Sequence, residues 1–277
     1  MNPQRLKLET TRQNLLPRFI DLLAPIATGQ RGLIIGPQHL GEKLILEAVA
    51  NSLAVNHPEV VVMAVLLDQH QDEVSAAIRC FKAEVFSSTW NELEARHIAL
   101  AENVLTKAQS LLEQKRDVLI LMDSLTRLAQ AYSKLLPLPD RTEAGTYNPY
   151  ALRQVKRLLN AACNPDAGGS LTILAIAEIE TGILWQEMFL DDLKRTAEIQ
   201  IVLEHGVARE GIFPSVNIHR SRNKDDATFI AKEELARICV LRKVLEPLSA
   251  VEAAKLLGSK LLLTRSNEEF LNNMSAL

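Results

Sequence analysis

Four apolar runs constrain this chain more than anything else in it: Leu33–Ile35, Val60–Leu67, Val118–Met122 and Ser170–Ala177. Strands apolar on both faces belong in the middle of a parallel sheet. Stretches with helical spacing lie between them, at Lys43–Ala54, Glu92–Lys115, Leu125–Lys134 and Tyr150–Ala162. Strands alternating with helices over residues 31–178 predict an α/β fold, with a mostly parallel central sheet and helices on both faces. Ala83–Phe86 reads as a shorter strand and Glu198–Leu203 alternates like one. Gly206–Gly211 reads as a hairpin connection to Ile212–Ile218, and Ile179–Lys194 is mixed. Lys232–Val244, Ala250–Leu257 and Glu268–Met274 predict C-terminal helices. Residues 135–149 hold three prolines and a glycine, and a loop of that length inside a domain is more often functional than filler.

The first strand runs into G-P-Q-H-L-G-E-K at 36–43. Strand, glycine loop and helix make the layout of a phosphate-binding P-loop, whose backbone N–H groups and helix N-terminus surround an anion. Gly36, Pro37 and Gly41 keep the spacing of G-x-x-x-x-G-K-[ST], but Glu42 stands at the phosphate lysine and Lys43 at the magnesium hydroxyl. Each charge pair at about 4 Å is worth roughly 1 kcal/mol in water and about 4 at an effective dielectric near 20. Turning attraction into repulsion therefore costs several such units. Lys43, one residue on and about 100° around the helix, offsets this only in part. Glu42 is comfortable in a first helical turn, so the expected ground state is an empty or weakly filled site.

Other candidates surround this motif. Asp123 ends an apolar strand, as the magnesium-side aspartate of P-loop ATPases does, although strand-end aspartates also cap turns. Gln69 ends another strand, where an acid would polarise the attacking water; glutamine orients water but takes no proton from it. Arg209, Arg220, Arg222 and Lys224 are either phosphate-reaching fingers or a solvated basic face. Phe213, before Pro214, offers an aromatic face for adenine or a core side chain. The loops at 140–148 and near Lys194-Arg195 are candidates for contact with an RNA strand.

Composition narrows the classes. The net charge of −3 over 277 residues is not the strongly basic balance of a nucleic-acid binder, so such a role needs local basic loops. Cys80, Cys163 and Cys239 have no CxxC partner and read as reduced, mostly core residues of a cytoplasmic protein. The N-terminus has no apolar signal region, and no apolar run approaches the length of a membrane span. Residues 1–30 read as a linker and a lead-in helix, with Leu15, Phe19, Leu22 and Leu23 on one face.

Nearly the whole chain resembles the motor domain of the bacterial transcription termination factor Rho. The resemblance rests on Ile20–Ile35, N-H-P-E-V at 56–60, L-L-D-Q-H-Q-D-E-V at 66–74 and D-V-L-I-L-M-D-S-L-T-R-L-A-Q-A-Y at 117–132. It continues in G-G-S-L-T-I-L-A at 168–175, I-F-P at 212–214 and R-K-V-L-E-P at 242–247. It implies a RecA-type domain over 31–277, a hexameric ring, ATP and Mg²⁺ as cofactors, and RNA as partner. Asp123 then stands at the metal, Phe213 at the adenine, and Arg220 at an arginine of the interface. Gly145, within E-A-G-T at 143–146, and Lys194 take the places of the RNA-contacting loops.

The departures fall on the working parts. Gly41-Glu42-Lys43 replaces the family's GKT, Gln69-His70 its catalytic glutamate and arginine, Gly211 an arginine, and Lys224 the arginine finger. The family's N-terminal RNA-binding domain has no counterpart here. The expectation is a Rho-like chain deficient in ATP hydrolysis that assembles with itself or joins a ring of authentic Rho. The alternative is an active truncated RNA translocase in which Lys43 serves as the phosphate lysine through a shifted loop.

Overall fold

The computed structural model describes residues 2–135, 149–179 and 184–274. A two-stranded ribbon pairs β1 (Arg5–Leu6) with β2 (Ile26–Ala27) around α1 (Leu15–Leu23). The body follows as β3 (Arg31–Gly36), α2 (Glu42–Asn56), β4 (Val61–Gln69), α3 (Gln71–Cys80), β5 (Glu84–Thr89), α4 (Glu94–Glu113), β6 (Asp117–Asp123) and α5 (Leu125–Lys134). Next come α6 (Pro149–Leu159), β7 (Ser170–Glu178), α7 (Leu184–Thr196), β8 (Ile199–Val202), α8 (His205–Arg209) and β9 (Arg222–Asn223). Three helices close the chain: α9 (Lys232–Leu245), α10 (Ala250–Leu262) and α11 (Asn267–Asn273).

Seven strands form the main sheet in the order β5-β4-β6-β7-β3-β8-β9, parallel except for the last pair. Side chains alternate between its faces with the strand period of two. Ile34, Ala64, Leu119, Leu121, Leu174 and Ile176 join one core with α1, α2 and the C-terminal helices. Leu33, Ile35, Met63, Val65, Ile120 and Ile173 join the other, under α4, α5 and α6. This is why the central strands read as continuous apolar runs: both faces are covered.

The segment before β3 is built into the body. Leu6 and Leu8 are buried, and Asp21 accepts hydrogen bonds from the Leu8 and Glu9 amides. Burial pushes the Asp21 carboxyl up to about 6, against the pull of Arg5 and those amides. Arg18 is wholly buried; its guanidinium lies 3.3 Å from Glu9 and donates to Leu261, Thr264 and Asn267. That network ties α1 to the end of α10 and the start of α11.

Several expectations need correction. Residues 205–209 form a helix, and Ile212–Ile218 is not a strand; it returns beside β8 through one isolated bridge, Leu203 to Val216. Pro214 supplies no N–H for a ladder. Lys194, at the end of the stretch read as mixed, and Arg195 lie in the last turn of α7 and not on a loop. Cys80 and Cys239 are exposed and are not core residues, whereas Cys163 is half-buried and packs against the second core. Cys80 and Cys239 lie on helices whose opposite faces are buried by Val74 and by Ile238 and Leu241. Helix α3 escaped the sequence reading because only Val74 of its ten residues is buried, which leaves no apolar stripe. Gly145 falls outside the described residues.

Candidate functional site

Four adjacent strands end at the same edge of the sheet, β3 on Gly36 and the other three on polar side chains: β4 on Gln69, β6 on Asp123 and β7 on Glu178. Open α/β sheets bind ligands at this edge. Gly36 packs so close to β8 that a Cβ would come within 2.8 Å of the Leu203 Cβ. Gly41, the residue before α2, has a φ of 97°, a conformation that glycine adopts without strain. The loop 36–41 therefore has a P-loop's backbone needs met by its glycines.

Its side chains make a different site. Glu42 is buried, and its two carboxylate oxygens accept hydrogen bonds from the backbone amides of His39 and Leu40, both at 2.9 Å. His39 has a φ of 67°, which turns two successive N–H groups toward one point, the concavity that binds anions. A carboxylate of the chain itself thus lies in the loop.

Lys43 turns away from the loop. Its Nζ donates to Gln69 Oε1 at 2.6 Å and lies 3.0 Å from Glu73 Oε2 and 3.6 Å from Asp123 Oδ2. Asp123 is fully buried and neither carboxylate oxygen has a hydrogen-bond partner. Burial pushes its carboxyl up to about 6, against the opposing pull of Lys43 and Arg127. Burial also raises Glu73, but the Lys43 ammonium, the His70 amide and Arg127 outweigh it and hold Glu73 below the usual glutamate value. Gln69 is used at both ends, since its Nε2 donates to the Leu67 carbonyl. Arg127 reaches the Asp68 carbonyl and lies 3.6 Å from Glu178, which accepts from Gln38 Nε2 at 2.9 Å.

The structure thus brings Gly36, Gly41, Glu42, Lys43, Gln69 and Asp123 together, as the sequence led us to expect. It adds Glu73, Arg127 and Glu178, to which the sequence reading gave no role. Glu73 had a local signal, as the acid at the third position of a capping box with His70. Arg127 and Glu178 had none, because strand order alone places them here. A cavity of about 190 Å³ beside the loop is lined by Glu42, Glu73 and Glu178 against Lys43 and Arg127, one net negative charge. A triphosphate favours the opposite sign.

The flanking candidates divide. Phe213 is exposed, with a ring carbon 3.5 Å from where a Cβ on Gly41 would stand, and Ser215 Oγ donates to the Leu40 carbonyl at 2.6 Å. The aromatic face expected beside the loop is therefore there. Arg220 is exposed and lines a separate cavity of about 470 Å³ with Gly36, Pro37, Lys194 and His205. Lys194 pairs with Asp191 at 3.2 Å. Lys224, at the arginine-finger position, instead donates to the Lys194 and Ala197 carbonyls, each at 2.7 Å. There it serves the C-terminal end of α7, and burial together with nearby Arg222 lowers its pKa.

The fold and this sheet edge define a nucleotide-binding domain of RecA type. The family model of the ATP synthase alpha/beta family, nucleotide-binding domain, matches residues 17–222, and the chain belongs to that family. Its curated relatives include transcription termination factor Rho of Cereibacter sphaeroides, 41% identical over 98% of the chain. Rho of Escherichia coli K12 and of Buchnera aphidicola are each 38% identical over the same share. The resemblance to the Rho motor domain read from the sequence is thereby established. The chain spans 65% of the length of each of these relatives. A solved prototypical ATPase from the type III secretion system of pathogenic bacteria superposes with a TM-score of 0.80. That match is 18% identical and covers all of this chain and 85% of the other. No helix among the described residues is long and apolar enough to cross a membrane.

Mg²⁺-ATP, which the family implies, does not fit the residues present. The two loop amides are taken by Glu42, and the Lys43 ammonium stands beside Asp123, the residue that would hold the metal.

Proposed function

We propose that this chain is a Rho-type protein that does not hydrolyse ATP and acts in transcription termination through protein contacts. It assembles with itself or takes a place in a ring of authentic Rho, in the cytoplasm. Residues 31–277 form its RecA-like unit and 1–30 the lead-in. The observation that carries this reading is the Glu42 carboxylate on the His39 and Leu40 amides, where a phosphate would need them. Two further losses support it: Gln69 cannot accept a proton, and Lys224 is held on backbone carbonyls instead of reaching across an interface. The same proposal includes contact with RNA through Lys194 and Gly145.

The test is ATP hydrolysis by the purified chain, with and without RNA, and by mixtures with authentic Rho. No turnover alone, with co-migration and altered Rho activity in mixtures, is expected. Undiminished Rho activity at excess with no co-migration ends the partner role. The alternative, an active translocase, requires Lys43 to leave Gln69, Glu73 and Asp123 for the loop. It predicts RNA-stimulated hydrolysis that K43A abolishes and E42A spares.

A further inference from the structure

Glu42 and Lys43 are adjacent in sequence, and each meets its own set of partners. Glu42 offers two oxygens to two successive amides at equal distance, the seat that one edge of a phosphate takes in such a nest. Lys43 offers an ammonium to Gln69, Glu73 and Asp123, a neutral oxygen and two carboxylates gathered from two strands and a helix. Oxygens of this kind suit a hard divalent cation. The two departures from the P-loop pattern are therefore complementary: one residue brings the missing anion and the other the missing cation.

We propose that the chain carries its own occupant of the site, the Glu42 carboxylate replacing the phosphate and the Lys43 ammonium the metal. The pair holds the loop and the ends of β4 and β6 in a liganded arrangement with no nucleotide present. This rests on the non-hydrolysing reading above and adds to it. A P-loop that has merely lost its lysine is open to weak anions, whereas this one is closed by a tethered competitor. Because the carboxylate is part of the same short loop, its effective concentration exceeds that of any free anion of similar intrinsic affinity. A subunit so built stays in one state while neighbours in a ring cycle through several.

Removing each half should expose the site that it fills. Inorganic pyrophosphate without metal is the probe for E42A, read by calorimetry, and Mn²⁺ is the probe for Lys43→Ser, read by electron paramagnetic resonance. E42A is expected to bind pyrophosphate at least about tenfold more tightly than the unmodified chain, and Lys43→Ser to gain Mn²⁺ binding by a similar factor. Equal binding by the unmodified and substituted chains, for either probe, overturns the proposal, as does no gain in a folded variant. Hydrogen exchange in the unmodified chain reads the same contact without substitution. The His39 and Leu40 amides should exchange at least about tenfold more slowly than free loop amides, and unprotected amides overturn the proposal even if both variants fail to fold. ATP turnover by the unmodified chain would end the non-hydrolysing reading itself; silent variants without such turnover end the self-liganding alone.

Discussion

The Lys43 ammonium lies 3.6 Å from the Asp123 carboxylate, which has no solvent exposure and no hydrogen-bond partner of its own. A buried carboxylate of this kind is tolerable only beside a positive charge. Lys43→Met should therefore destabilise the chain by about 1–3 kcal/mol, less than for a wholly buried pair because the lysine is partly exposed. Urea denaturation at neutral pH checks this. An unchanged midpoint would show that the ammonium contributes nothing at Asp123.

The same carboxylate makes stability depend on pH. Asp123 holds its proton to about 6 in the fold, whereas an unfolded aspartate releases it near 4. Between those values the folded state binds more protons, so this contribution is fully present below about pH 4 and is lost as pH rises through about 6. Asp123→Asn removes it. The stability difference between the two proteins should slope between pH 4 and 6, as read by denaturation, and flatten above about 7. A difference that is level across this window contradicts the raised value.

Arg18 is the largest fully buried side chain among the described residues, and its guanidinium is spent on α10 and α11. Arg18→Met keeps much of its bulk but leaves the Thr264 carbonyl and Asn267 Oδ1 without the guanidinium that donates to them, and takes the positive charge away from Glu9. A loss of about 3–5 kcal/mol is expected in calorimetry or denaturation. A loss below 1 kcal/mol would mean that the N-terminal segment is not held by this network.

Two glycines of the loop should respond for different reasons. Gly36→Ala places a methyl 2.8 Å from the Leu203 Cβ, just past the end of β8, and should cost about 1–3 kcal/mol by overpacking. Gly41→Ala meets nothing closer than 3.5 Å and bears only its left-handed backbone, about 1–2 kcal/mol. Combining each with Leu203→Gly, which removes that Cβ, separates them by thermal denaturation: the double substitution should relieve Gly36→Ala and not Gly41→Ala.

Glu42→Lys with Lys43→Thr restores the family's loop ending. A labelled ATP analogue with magnesium should then bind at least about tenfold more tightly than to the unmodified chain, by equilibrium dialysis. If it does not, the other losses around Gln69 and Lys224 have spoiled the pocket beyond the loop.

Much of this was legible in the amino-acid sequence, because its signals are local. The central strands announce themselves as apolar runs, since parallel strands are buried on both faces, and glycine spacing marks the loop. The identities of residues 42 and 43 alone show that the charge of a nucleotide site is reversed. Sequence could not show where those charges go, because a side chain's direction depends on what the other strands bring near it. Glu42 finds its amides two and three residues back in the chain, but only the tertiary structure sets Lys43 among Gln69, Glu73 and Asp123. It likewise turns Lys224 onto the end of α7. Those partners lie 26, 30, 80 and about 30 residues away, and sheet order, a long-range property, decides their company.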